Sequence, residues 1–198
     1  MSIFWQSRHV FLGLFLLTLL GKTQALTVYY PEYDHYITGL TQVELEMVVD
    51  PENKVQEQSN WCWAAVSQMV LAWHGYEVSQ SSLVQEIKGR VIDRPASAAE
   101  IISVVSNRPT RYGSFTQAGR LAKVLDIIEE LDAGNPLIVG FEGHAYVMTA
   151  IVYQKDDYQR ITPLGVYLRD PWPSNPSLKK MLWLDFLSAE PVIIQVSR

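Results

Sequence analysis

A long apolar stretch runs over residues 63–73 as Trp-Ala-Ala-Val-Ser-Gln-Met-Val-Leu-Ala-Trp. Apolar positions lie on nearly every side of this stretch, which predicts a helix buried in the middle of a domain. Ser59 or Asn60 can cap the start of this helix, and Gly75 stands where helices commonly end. We therefore expect a central buried helix that begins close to Cys62 and ends before Gly75.

Three further segments carry the signals of helices. Residues 82–85 form a capping box before a short helix that ends at Gly89, and residues 97–100 form a second capping box. Apolar residues recur on one face from 121 to 131, and Gly134 follows them. This spacing predicts a third helix over 121–131.

Apolar runs and alternating patterns in the remaining chain predict strands. The predicted strands cover residues 42–49, 136–141, 145–153, 165–169 and 191–196. The tyrosine-rich segment 27–36, which contains a proline, fits either an edge strand or a surface arm. Because helices precede strands with no linker between them, we predict an α+β fold and a single domain over residues 26–198.

The first 25 residues have the pattern of a secretory signal peptide. Arg8 precedes an apolar core over residues 10–21, and Ala25 offers a small residue at the cleavage point. A retained membrane anchor is the alternative, but the core is shorter than the roughly 20 apolar residues of a spanning helix. We therefore expect cleavage after Ala25, a secreted or periplasmic protein, and no stable membrane association afterwards.

The charge of the chain bears on its partners. Loss of residues 1–25 removes Arg8 and Lys22 but no acid, so the formal charge changes from −5 to −7. An acidic chain of this kind gives no support to nucleic-acid binding. We expect a monomer that acts on a protein or peptide substrate.

Cys62 is the only cysteine of the chain and lies in the first turn of the predicted central helix. Unpaired N–H groups and the helix dipole favour an anion there, and the thiolate is the nucleophilic form of cysteine. A lone cysteine in an exported protein also indicates a reactive thiol. The alternative is that Cys62 is a small buried apolar residue.

One of the four histidines is placed to serve as a base. His9 leaves with the signal peptide, His74 lies about 18 Å from Cys62 along the predicted helix, and His35 sits in the tyrosine-rich segment. His144 follows a glycine-flanked turn and begins an apolar strand. We predict that His144 is the partner of Cys62; an ordinary core histidine is the alternative.

An imidazole that acts as a base needs a third group to orient it. Asp170 ends the predicted strand 165–169 and is our candidate for that group. It could also be a turn residue before a proline, which is a common use of aspartate. Asp156 and Asp157 lie in a polar turn, where we expect solvated carboxylates.

The chain resembles the papain-like cysteine peptidases, specifically the compact bacterial branch of secreted and effector-type enzymes. The motifs that carry the resemblance are Gln56, Cys62-Trp63-Ala64-Ala65, Gly143-His144 and Asp170-Pro171-Trp172. They span about residues 50–175. The chain departs from the plant and lysosomal form in having no second cysteine before the nucleophile, a shorter gap between Cys62 and His144, and Asp170 in place of the usual asparagine.

This resemblance implies a papain-like fold in which a helical lobe carrying the nucleophile helix packs against a strand-rich antiparallel lobe. It implies that Cys62 attacks the scissile carbonyl, that His144 transfers the proton and that Asp170 orients His144. It also implies that Gln56 and the Cys62 backbone N–H bind the oxyanion. Gln58, four residues before Cys62, is the competing candidate for this oxyanion role.

The tryptophans of these motifs have supporting roles. The resemblance implies that Trp172 shields the His144–Asp170 hydrogen bond from water, with an ordinary core tryptophan as the alternative. We expect Trp61 and Trp63 to pack. No cofactor is implied, and the single cysteine and scattered histidines lack the spacing of zinc ligands.

The resulting hypothesis is an exported cysteine endopeptidase with a Cys62–His144–Asp170 triad. A papain-fold amidase or isopeptidase would use the same triad and differ only in its substrate. A non-catalytic binding protein on this fold would require a broken triad, and none of the three residues is missing.

Overall fold

A computed structural model describes residues 26–40, 55–111, 113–173 and 178–197. The predicted signal peptide (1–25) and the predicted strand 42–49 lie outside the described residues. The described residues form eight strands and five helices.

The strands are β1 Leu26–Tyr30, β2 His35–Gly39, β3 Gln117–Leu121, β4 Leu137–Phe141, β5 His144–Lys155, β6 Ile161–Arg169, β7 Leu178–Leu182 and β8 Val192–Ser197. The helices are α1 Cys62–Trp73, α2 Gln80–Lys88, α3 Ala98–Val105, α4 Val124–Asp132 and α5 Trp183–Ser188.

All eight strands belong to one antiparallel sheet centred on β5. β6 pairs along one edge of β5, whereas β4 and β2 share the other edge, end to end. The path from one side runs β1-β2-β5-β4-β8-β3, and β7 lies beyond β6. The α+β class and the antiparallel strand-rich part are therefore confirmed.

Helices cover both faces of the sheet. In β4, Ile138 packs into the core that contains α1, whereas Leu137 and Val139 pack into the core that contains Phe186 of α5. This alternation is the period of two that a strand imposes on its side chains. α1 is buried at every position except Gln68, as its apolar sequence predicts. α1, α2 and α3 together form the helical lobe.

The start of α1 differs from the prediction. Trp61 occupies the capping position, and no side chain caps the helix there, so the predicted caps Ser59 and Asn60 are wrong. The backbone N–H of Asn60 instead donates to Asp93 at 2.8 Å, because the preceding loop folds against that carboxylate. Gly75 follows the helix with φ +84°, a conformation that glycine adopts readily.

The next two helices begin with serine caps. Ser97 and Glu100 form the predicted capping box of α3. In α2 the cap is Ser79, whose side chain accepts from the Ser82 N–H, so this helix begins before the predicted box. Ser82 thus lies inside the first turn, and Gly89 ends the helix as predicted.

Two segments differ from the prediction based on local pattern. The predicted helix 121–131 begins only at Val124, because residues 117–121 pair with β8 as strand β3. The tyrosine-rich segment forms the hairpin β1–β2, with β1 at the edge of the described sheet. Strands therefore precede α1 and α4, and the simple order of helices first and strands second is wrong. The other four predicted strands are present, with β5 and β6 longer than predicted.

Candidate active site

Cys62 is the first residue of α1, and it is buried and unpaired. Two indoles fix this helix end against the loop after α2. The Trp61 ring donates to the carbonyl of Ile92, and the Trp63 ring donates to the carbonyl of Arg94, each at 3.0 Å. The two tryptophans flanking Cys62 therefore hold the start of the helix in place.

His144 and Asp170 meet because their strands are neighbours. His144 begins β5, and Asp170 directly follows the end of β6, which runs antiparallel to it. The His144 Nε2–H donates to Asp170 Oδ1 at 2.7 Å. The same oxygen accepts the Trp172 backbone N–H at 3.0 Å, which fixes the carboxylate.

His144 also interacts with Cys62. Burial lowers the pKa of His144, but hydrogen bonds to Cys62 and Asp170, and the charges of both, outweigh this effect. The pKa of His144 therefore lies above its ordinary value of 6.5. Because Nε2 is bonded to Asp170, Nδ1 is the ring nitrogen left to face the thiol.

Aromatic rings flank the imidazole. Tyr146 stands edge-on to His144 with ring centroids 4.7 Å apart, and Trp172 does so at 6.3 Å. Trp172 is 41% exposed, so it is not a core tryptophan. It covers one side of the imidazole that bonds Asp170.

Gln56 lies beside the loop of Asp170, whereas Gln58 is exposed. The Gln56 backbone N–H donates to the Pro171 carbonyl at 2.8 Å. Its side-chain Nε2 donates to the carbonyls of Gln58 and Ser59, at 2.9 and 3.2 Å. Its buried Oε1 has no hydrogen-bond partner among the described residues.

A residue that the sequence did not point to holds the Gln56 segment. Gln80 of α2 is fully buried, and its Oε1 accepts the Glu57 N–H at 3.1 Å. Its Nε2 donates to the Val55 carbonyl at 2.8 Å and to Gln68 of α1 at 3.1 Å. Gln80 therefore hydrogen-bonds to the backbone of both Val55 and Glu57, the two neighbours of Gln56. No local pattern distinguishes it from an ordinary residue in a first helical turn.

A cavity of 450 Å³ opens from the sulfur and imidazole of this site. Cys62 and His144 line it, together with parts of α3, β4, β5 and β8. Among the described residues that line it, the charged side chains other than His144 are Glu142 and Glu190. The volume lies within the range of about 300–1,000 Å³ that is typical of ligand sites.

The other described histidines lie outside this site. His74 is buried at the end of α1, and its Nε2 lies 2.8 Å from the Val196 carbonyl, as expected for a packing role. His35 stacks on Tyr33 in the β1–β2 hairpin, with ring centroids 5.7 Å apart. Within the ranges that the structure describes, no helix is long and apolar enough to cross a membrane.

The fold is that of a papain-like cysteine peptidase. It resembles the crystal structure of the peptidase domain of Streptococcus ComA, a bi-functional ABC transporter involved in a quorum sensing pathway. The TM-score is 0.51 at 17% identity, over 72% of this chain and 95% of that domain. A search of curated proteins finds no match.

A sequence model of the Peptidase_C39 like family matches residues 48–187. The chain belongs to this family and is a cysteine peptidase. The predicted enzyme class is therefore confirmed, and a protein or peptide is its substrate.

Proposed function

We propose that the chain is an exported cysteine endopeptidase whose catalytic residues are Cys62, His144 and Asp170. The observation that carries the proposal is the 2.7 Å bond from His144 Nε2 to Asp170, with Cys62 and His144 lining the same cavity. A nucleophile, a base and a group that orients the base are the parts that acyl transfer requires.

In the proposed reaction, the Cys62 sulfur attacks the scissile carbonyl carbon while His144 holds the thiol proton. Collapse of the tetrahedral intermediate breaks the C–N bond, and His144 donates the proton to the leaving amine. A water molecule then attacks the thioester, with His144 accepting its proton, and the carboxylic acid product leaves. Cys62 regains its proton at the end of the cycle.

Asp170 determines which nitrogen of His144 transfers the proton. By accepting the Nε2–H, it keeps Nδ1 directed at the sulfur and stabilises the imidazolium. The raised pKa of His144 favours this imidazolium. Trp172 covers the imidazole near this bond and, in the proposal, restricts the access of water to it.

The oxyanion is assigned to the Cys62 backbone N–H and to Gln56. The first N–H groups of a helix have no acceptor within the helix, so that of Cys62 is available. Both side-chain N–H groups of Gln56 are directed at the carbonyls of Gln58 and Ser59. Gln56 must therefore release one of these two bonds to reach the oxyanion.

The full chain and its Cys62→Ala variant test the proposed hydrolysis. We expect the full chain to cut end-blocked peptides of a mixed library at internal bonds, as read by mass spectrometry, and Cys62→Ala to cut none. Equal cleavage by both proteins would contradict the triad. Removal of single terminal residues alone, seen with unblocked peptides, would contradict the endopeptidase assignment.

Export is supported by the leader pattern of residues 1–25. Expression of the full chain in a bacterial host, followed by fractionation and amino-terminal sequencing, tests it. We expect a product outside the cytoplasm that begins at Leu26. A cytoplasmic product that retains Met1 would contradict export.

A further inference from the structure

The cavity that opens from Cys62 has an aliphatic wall. Ile101 of α3, Ile138 of β4 and Ile194 of β8 line it, and all three belong to the core. Val192 lines it at the end of β8. Ile138 and Ile194 are almost fully buried behind this wall, so the partly exposed Val192, with Ile101, contacts the hydrocarbon part of a substrate side chain and gives it no hydrogen bonds.

The rim of the same cavity is acidic. Glu142, in the turn between β4 and β5, and Glu190, in the turn between α5 and β8, both line it and are exposed. Neither side chain has an ion pair or hydrogen bond within the described residues. None of the described residues that line the cavity is a lysine or an arginine. Lys179 lies over the rings of Phe141 and Tyr146, outside this lining.

The sheet brings the two carboxylates to the same end. β4 and β8 are antiparallel, with Gly140 opposite Val192. Glu142 and Glu190 each lie two residues beyond this pair, in the turns that follow β4 and precede β8, and both line the cavity. Two carboxylates that line one cavity repel each other, and a cation placed between them relieves this repulsion. Glu142 also lies two residues before His144, so this acidic end adjoins the catalytic imidazole.

We propose that this cavity is a subsite for a lysine or arginine side chain close to the scissile bond, and that Glu142 and Glu190 determine this specificity. The proposal rests on the proposed peptidase function. The methylene stem lies along Val192 and the accessible edge of Ile101, and the ammonium or guanidinium lies at the two carboxylates. Lysine and arginine side chains commonly pack their methylene groups on apolar surface and keep the charged group in water.

A peptide series measures the preference. One cleavable sequence is varied at each position near the cut bond, with lysine, arginine, norleucine or glutamate, where norleucine keeps the stem and lacks the charge. An exposed ion pair contributes a factor of roughly 1.4 to 5. We expect the full chain to prefer lysine over norleucine at one position, and Glu142→Gln/Glu190→Gln to reduce this kcat/KM ratio by about 2- to 25-fold.

Glu77→Gln/Glu129→Gln is the matched control, because it removes the same charge from exposed residues that do not line the cavity. We expect the control to keep the wild-type ratio. A wild-type ratio of one or less at every position would overturn the proposal. So would an equal ratio in the two double variants.

A binding measurement separates this proposal from the proposed function. The Kd of the same peptides is measured with full-chain Cys62→Ala, with and without the Glu142→Gln/Glu190→Gln changes. In one outcome the wild type cuts no peptide, but lysine peptides bind more tightly than norleucine peptides only when both carboxylates are present. This outcome supports the subsite and contradicts the proposed hydrolysis. If peptides are cut but lysine gives no advantage in kcat/KM or Kd, the subsite fails alone.

Discussion

The backbone N–H of Gln56 donates a 2.8 Å hydrogen bond to the carbonyl of Pro171. Gln56 belongs to the segment that leads into α1, and Pro171 directly follows Asp170, which bonds His144. This one bond joins the proposed oxyanion donor to the proposed triad. It explains how a residue six positions before Cys62 is held at the active site.

Gln56→Ala is expected to slow catalysis without changing the reactivity of the thiol. Loss of one oxyanion donor costs about 100- to 1,000-fold in kcat, because the charge on the oxygen develops only in the transition state. The rate at which a small alkylating agent labels Cys62 should stay the same. Gln58→Ala is the control, since Gln58 is exposed. A large loss with Gln58→Ala and none with Gln56→Ala would reverse the two assignments.

Gln80→Leu is expected to displace the Gln56 segment. The change leaves the Glu57 N–H and the Val55 carbonyl without their partner, at a cost of about 1–3 kcal/mol for each group that stays buried. We expect a lower free energy of unfolding and a lower kcat, with unchanged alkylation of Cys62 in the folded protein. Gln117→Leu, at an exposed position of β3, is the control for both quantities. A wild-type kcat in Gln80→Leu would show that catalysis does not depend on the hydrogen bonds between Gln80 and the Gln56 segment.

Asp170→Asn is expected to be milder than Asp170→Ala. The asparagine carbonyl can accept both the His144 Nε2–H and the Trp172 N–H, whereas alanine can accept neither. Asparagine lacks the charge that stabilises the imidazolium, so its kcat/KM should lie between those of the wild type and of Asp170→Ala. Equal values of kcat/KM for Asp170→Asn and Asp170→Ala would show that the orienting bond is unimportant.

The raised pKa of His144 predicts how stability varies with pH. Protonated His144 is favoured in the folded state, so its contribution is fully present below the unfolded value of about 6.5 and is lost as pH rises through the raised folded pKa. His144→Gln lacks this titration. The difference in free energy of unfolding between wild type and His144→Gln should therefore fall as pH rises from about 5.5 to 8.5. Urea unfolding measures it, and a difference that is constant or grows with pH would contradict the shift.

The helix of Cys62 and four of the strands could be predicted because their apolar patterns are local and strong. The candidates Cys62, His144 and Asp170 could be chosen because each lies at the end of such an element, where a side chain reaches the edge of the core. The motif resemblance supported the same choice.

Features that depend on distant pairing could not be predicted. Strand β3 has the sequence Gln-Ala-Gly-Arg-Leu, which carries no strand pattern, and it forms through its ladder with β8. Gln80 looks like any polar residue at a helix start, and its role follows from burial against Val55 and Gln68. The acidic rim could not be predicted either, because Glu142 and Glu190 come to one cavity only through the pairing of β4 with β8.

The central claim is that Cys62 forms the acyl-enzyme with help from His144. Its most direct test is intact-mass and peptide-mapping spectrometry of the full chain quenched during turnover of an activated peptide ester. We predict one acyl group on Cys62 in the wild type, a much slower appearance of that group in His144→Ala, and none in Cys62→Ala. Turnover of the ester by Cys62→Ala at the wild-type rate, with no acyl group on Cys62 in the wild type, would contradict the account.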